Sequence, residues 1–132
     1  MKKKTIFFDL DNVICSTNKL KEYRKSAPKK AAIKTINELY KRGHTIKIYT
    51  ARGMGKYKGN KLLVKKKYYT LTKNQLIKWG VKFHELLMCK PSYDIFIDDK
   101  CYGFNLNWTK CFFNMVIIAL NIGLIITYLI LL

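Results

Sequence analysis

The sequence predicts an α/β fold, a parallel sheet covered by helices. Two observations predict it. Short β-branched and aromatic runs recur between Thr5 and Ile97, and apolar residues at helical spacing lie between them. All five aspartates fall in or beside two of those runs, which invites a metal-site hypothesis.

In chain order, Thr5-Ile6-Phe7-Phe8 reads as a buried strand ending at Asp9. Ser26, with Pro28 just behind it, reads as a helix start and Gly43 as its stop, because Ala32, Ile33, Ile36, Leu39 and Tyr40 repeat at helical spacing. Thr45 to Tyr49 is a second strand ending at Thr50, followed by a Gly- and Lys-rich loop from Gly53 to about Asn60. Thr72 with Gln75 has the form of a capping box, and Leu76, Ile77 and Trp79 lead to a terminal Gly80. Val81 to Leu87 holds a third strand. Pro91 then breaks the chain, and Tyr93 to Ile97 is expected as a last strand running into Asp98-Asp99.

At 132 residues the chain has room for one modest core, and 49% hydrophobic content excludes a disordered chain. The cysteines (Cys15, Cys89, Cys101, Cys111) show no CxxC pairing and no nearby histidine array, which argues against zinc and for reduced thiols in the cytoplasm. Met1 to Lys4 lead straight into the first strand-like run, so no secretory leader is expected. The formal charge of +18 attracts anions, whether phosphate esters, nucleic acid or acidic lipid, although an AT-rich coding bias explains many of the lysines equally well.

In a parallel sheet the C-terminal strand ends converge on one edge, where ligands bind. Here those ends carry Asp9 and Asp11, Thr50, and Asp98 with Asp99, and Lys90 lies just before the last expected strand. These groups suit phosphoryl transfer. A phosphate dianion repels an attacking carboxylate, so its charge must be offset first. Mg2+ does this with few carboxylate ligands; Asp9, Asp98 and the backbone carbonyl of Asp11 would hold it. Lys90 would neutralise Asp9 and the transferring group, and Thr50 would donate to its equatorial oxygens. Asp9 would be the nucleophile and Asp11 the acid and base. Asp99 reads as a residue of the metal shell or a helix cap, and Arg52 as a grip on substrate or an ordinary exposed arginine. His44 and His84 are isolated, and Cys15 reads as packing.

The run Phe7-Phe8-Asp9-Leu10-Asp11-Asn12-Val13 resembles the first motif, DxDx(T/V), of the haloacid dehalogenase (HAD) superfamily phosphatases. Thr50 in Ile48-Tyr49-Thr50-Ala51-Arg52 resembles the second motif, Lys90 the third and Asp98-Asp99 the fourth. From about Lys3 to Asn105 the chain is similar to the small phosphatases linked to capsular polysaccharide biosynthesis. The resemblance implies a Rossmann-like sheet, magnesium, and hydrolysis through an aspartyl phosphate. The substrate would be a sugar phosphate or a related intermediate of surface-polysaccharide assembly. The spacings between motifs are too short for a lid domain, so it also implies a capless site, one that takes a large substrate or is closed by a second subunit of a homo-oligomer.

Two rivals stand beside this reading. The basic segment Lys56 to Lys67, followed by Tyr68 and Tyr69, suits a nucleic-acid end-processing phosphatase of the same superfamily. The other rival is a non-enzymatic, membrane-attached binding protein of the same fold. The chain is accordingly divided into a phosphatase domain, 1–111, and an apolar segment, 112–132, that carries no charge. That segment is long enough to span a bilayer, and Lys100 and Lys110 before it fit an anchor that leaves the domain in the cytoplasm. A buried terminal helix and a frameshifted end are the competing readings of the segment.

Overall fold

The computed structural model describes residues 2–103. The chain divides into two compact units between Ser92 and Tyr93. The apolar segment 112–132, expected as a C-terminal helix, lies outside the described residues. Among those described, no helix is long and apolar enough to cross a membrane.

The first unit is an α/β unit. Its strands in chain order are β1 (Thr5–Phe8), the short β2 (Cys15–Ser16) and β3 (Ala27–Pro28), β4 (Thr45–Tyr49) and β5 (Glu85–Leu87). Helix α1 spans Lys30–Lys41, between β3 and β4, and α2 spans Lys61–Lys78, between β4 and β5. β1, β4 and β5 form a parallel sheet with β4 in the centre. The register aligns Phe8 with Ile48 and Ile48 with Leu86. One face of the sheet therefore packs inward with Ile33 and Ile36 of α1 and Val64 and Leu76 of α2. The other face places Phe7 beside Lys47, whose ammonium pairs with Glu85 at 2.7 Å. β1 is thus half-buried, not the buried strand expected, and Phe7 is 53% exposed.

Both helices stop where the glycines predict. Gly43 and Gly80 take positive φ, and the following N–H of His44 and Val81 donates back to Leu39 O and Leu76 O. Their starts differ from expectation. α1 begins at Lys30, because Ala27–Pro28 pairs antiparallel with Cys15–Ser16 and Ser26 faces inward. α2 begins at Lys61, where the Asn60 side chain accepts from Leu63 N at 3.0 Å. Thr72 and Gln75 therefore lie inside a helix and cap nothing. They sit on its inward side, where their polar groups serve a buried partner described below.

Tyr93 to Ile97, in the second unit, is not a strand. These residues are exposed, and the Tyr93 and Phe96 rings lie against each other at a tilt of 32°, centroids 5.1 Å apart. A β-branched, aromatic run has strand character only when a neighbour completes its ladder, and no ladder partner is present among the described residues.

Candidate active site

Parallel pairing brings the C-terminal ends of β1 and β4 to one edge, which carries Asp9 and Asp11 beyond β1 and Thr50 beyond β4. The chain after β5 is tied to the same edge: Thr50 N donates to Leu87 O and Lys90 N to Thr50 O, each at 3.0 Å. Lys90 is thereby delivered to Asp9, its Nζ lying 2.8 Å from Asp9 Oδ2. The other carboxylate oxygen, Oδ1, accepts from Leu10 N at 2.7 Å. Non-glycine residues with left-handed backbone flank the edge, Asn12 (φ 65°) after Asp11 and Cys89 (φ 67°) before Lys90. Such conformations cost about 1 to 3 kcal/mol and persist where the surroundings impose them.

Arg52 is the centre of the site's interior. Its side chain is wholly buried and forms an ion pair with Asp11, whose side chain remains 22% exposed. Nε lies 3.1 and 3.0 Å from the two Asp11 oxygens, and Nη2 is 3.0 Å from Oδ1. Nη2 also donates to Ser26 Oγ and Cys15 Sγ, while Nη1 donates to Gln75 Oε1 at 2.7 Å and to Thr72 Oγ1. The guanidinium stacks 5.0 Å from the Tyr23 ring. Gln75 Nε2 donates to Tyr23 O, and the Tyr23 hydroxyl accepts from Gly53 N at 3.1 Å. Burial raises the Tyr23 phenol and the Cys15 thiol above their ordinary pKa values, so both stay neutral within this cluster.

Asp11 Oδ1 is the crowded oxygen, accepting from Arg52, Thr17 Oγ1 and Cys15 Sγ. Oδ2 has one contact among the described residues, the 3.0 Å bond from Arg52 Nε. Thr50 is wholly buried, and its Oγ1 accepts from Arg52 N at 3.2 Å. Asp9 is the most accessible of these groups, with 35% of its side chain exposed.

Asp9, Asp11, Thr50, Lys90 and Arg52 thus meet within the first unit, Arg52 as an interior support beneath Asp11. Asp98 and Asp99 belong to the second unit, where Asp98 Oδ1 closes a turn by accepting from Lys100 N at 2.8 Å. Sequence reasoning assigned no site role to Thr17 and Tyr23, and it pointed to helix starts for Ser26 and for Thr72 with Gln75, which instead meet Arg52. One signal was available: Val64, Tyr68, Thr72 and Gln75 recur at helical spacing, which puts two polar groups on an inward stripe, and inward polar groups need partners. His44 and His84 hold backbone: their Nδ1 atoms accept from Lys4 N and Ile46 N at 3.0 Å.

No protein-family model matches the chain, and no curated protein does. Among solved structures, the chain is similar to an MCSG target from Vibrio cholerae, with 28% sequence identity and a TM-score of 0.70 over 86% of this chain and 98% of that one. The two chains share a fold. The description of that target names no activity, so the likeness bears on architecture alone.

Proposed function

We propose that the chain is a capless HAD-type phosphatase with a Rossmann-like sheet, hydrolysing phosphomonoesters through phosphorylated Asp9. The observation that carries the reading is the ion pair between Asp9 and Lys90 at the edge shared by Asp11 and Thr50. Lys90 holds the Asp9 carboxylate in place and offsets its charge, so that an anionic phosphoryl group can approach. Asp9 Oδ2 or Oδ1 then forms a bond to phosphorus while the ester oxygen leaves. Asp11 must first take up a proton from solvent on Oδ2, the less encumbered oxygen; it then gives that proton to the leaving oxygen and later takes one from the water that cleaves the aspartyl phosphate. Arg52 fixes the orientation of Asp11 throughout. Thr50 would reach the phosphoryl group only after the atoms above it shift, since it is wholly buried.

The donor chemistry fits magnesium. Among the described residues no three Asp, Glu, His or Cys side chains gather as a metal-holding group. Mg2+ needs no such group, because it keeps several waters and takes one or two carboxylates. Asp9 and the Asp11 carbonyl, both at the edge within the first unit, would hold it. When bound, it supplies positive charge to the transferring phosphoryl oxygens.

The substrate class implied by the sequence resemblance is a sugar phosphate of surface-polysaccharide assembly. The full chain is assayed with an aryl phosphate, then with sugar phosphates and 3′-phosphorylated oligonucleotides side by side. The expected result is magnesium-dependent phosphate release that is lost in Asp9→Asn and retained on sugar phosphates. Turnover that survives Asp9→Asn overturns the mechanism, and preference for the oligonucleotides overturns the substrate class.

A further inference from the structure

A concave site lies on the first unit, between α2 and β5, with a cavity volume of about 460 Å³. Helix α2 contributes Lys65, Lys66, Tyr69 and Thr70 to its wall, and the strand side contributes Leu86 through Met88. It includes none of Asp9, Asp11, Thr50 and Lys90. The volume lies in the range of pockets that take small organic ligands, roughly 300 to 1,000 Å³.

The charge distribution says what kind of ligand. No Asp or Glu occurs between Glu38 and Glu85, whereas lysines stand at 41, 47, 56, 58, 61, 65, 66, 67, 73, 78 and 82. Every acid of the first unit is paired elsewhere: Asp9 with Lys90, Asp11 with Arg52, Glu22 with Lys25, Glu38 with Lys41 and Glu85 with Lys47. The ammonium groups of Lys65 and Lys66 therefore have no carboxylate partner among the described residues. The helix wall offers two cations and two hydroxyls, and no carboxylate lines the cavity. The opposite wall is aliphatic and thioether.

From this juxtaposition we infer that the α2–β5 cavity binds a small organic phosphate, with the phosphate on Lys65 and Lys66 and the organic part against Leu86 to Met88. Inorganic phosphate is too small to use the apolar wall. A nucleic-acid strand would run along all the lysines of α2 instead of the two at the cavity. The site is independent of the phosphatase reading, since none of Asp9, Asp11, Thr50 and Lys90 lines it.

The test uses the full chain carrying Asp9→Asn, so that hydrolysis does not consume the probe. ADP, glucose 1-phosphate, inorganic phosphate and a short oligonucleotide are titrated calorimetrically at low and moderate salt. ADP is expected to bind more tightly than inorganic phosphate, with affinity falling as salt rises. The double variant Lys65→Ala/Lys66→Ala should lose at least tenfold in ADP affinity. Lys73→Ala/Lys78→Ala, on the same helix but outside the cavity, should change it less than twofold. These are exposed positions, and circular dichroism checks that the helix content is unchanged. Four results overturn the proposal: no ADP binding at millimolar concentration, equal affinity for ADP and inorganic phosphate, equal losses in the two double variants, or an unchanged affinity in Lys65→Ala/Lys66→Ala. Equal losses accompanied by tight oligonucleotide binding would identify α2 as a nucleic-acid face instead.

Discussion

Replacing Arg52 with alanine should destabilise the first unit more than any change of an exposed lysine. The Arg52 side chain is wholly buried, and its nitrogens reach Asp11, Cys15, Ser26, Thr72 and Gln75. Removing one member of a buried ion pair costs about 3 to 5 kcal/mol, because the other charge is left without compensation. Asp11 keeps 22% of its side chain in solvent, which relieves part of that penalty, so the lower end, about 3 kcal/mol, applies. With a urea slope of about 1.5 kcal/mol per molar, this moves the unfolding midpoint down by roughly 2 M. Arg52→Lys restores the charge but not the planar fork that meets both carboxylate oxygens, and should recover less than half of the loss. Urea unfolding followed by circular dichroism at neutral pH, with equal slopes for wild type and variants, measures it. A loss below about 1 kcal/mol in Arg52→Ala would show that the interior network does not hold the site together.

Gly53→Ala should cost about 1 to 3 kcal/mol, because Gly53 has φ +80° and an added Cβ would lie 2.6 Å from the Tyr68 ring; a thermal shift of less than about 2 °C would contradict it. Between pH 7 and about pH 9 stability should be level, and it should fall beyond that. Burial raises the folded pKa values of Cys15, Tyr23 and Tyr68 above their ordinary 9.0, 10.0 and 10.0, so stability is full below the unfolded values and is lost as pH rises through the folded ones. Urea midpoints measured from pH 7 to 11 test this, and a level profile to pH 11 would refute it. Among the described cysteines, exposed Cys101 should be alkylated by iodoacetamide well before buried Cys15 and Cys89. Peptide mass spectrometry reads the order, and early labelling of Cys15 would contradict its burial.

The sequence by itself determined the elements whose signals are local. Thr5–Phe8 and Thr45–Tyr49 carry enough β-branched and aromatic residues to be strands, and glycine at 43 and 80 ends the two helices because it accepts positive φ without a Cβ clash. It also determined that Asp9, Asp11 and Thr50 share an edge, since parallel strands put their C-terminal ends together. What only the tertiary structure decided depends on residues distant in the chain. Thr72 and Gln75 have the spacing of a helix cap but meet Arg52 in the interior, and Ser26 is drawn inward to the same guanidinium. Tyr93–Ile97 has strand composition yet forms no strand, because a ladder requires a neighbour that composition cannot specify. The difference is physical: propensity and capping act over a few residues, whereas the partner of a buried charge is fixed only when the chain closes around it.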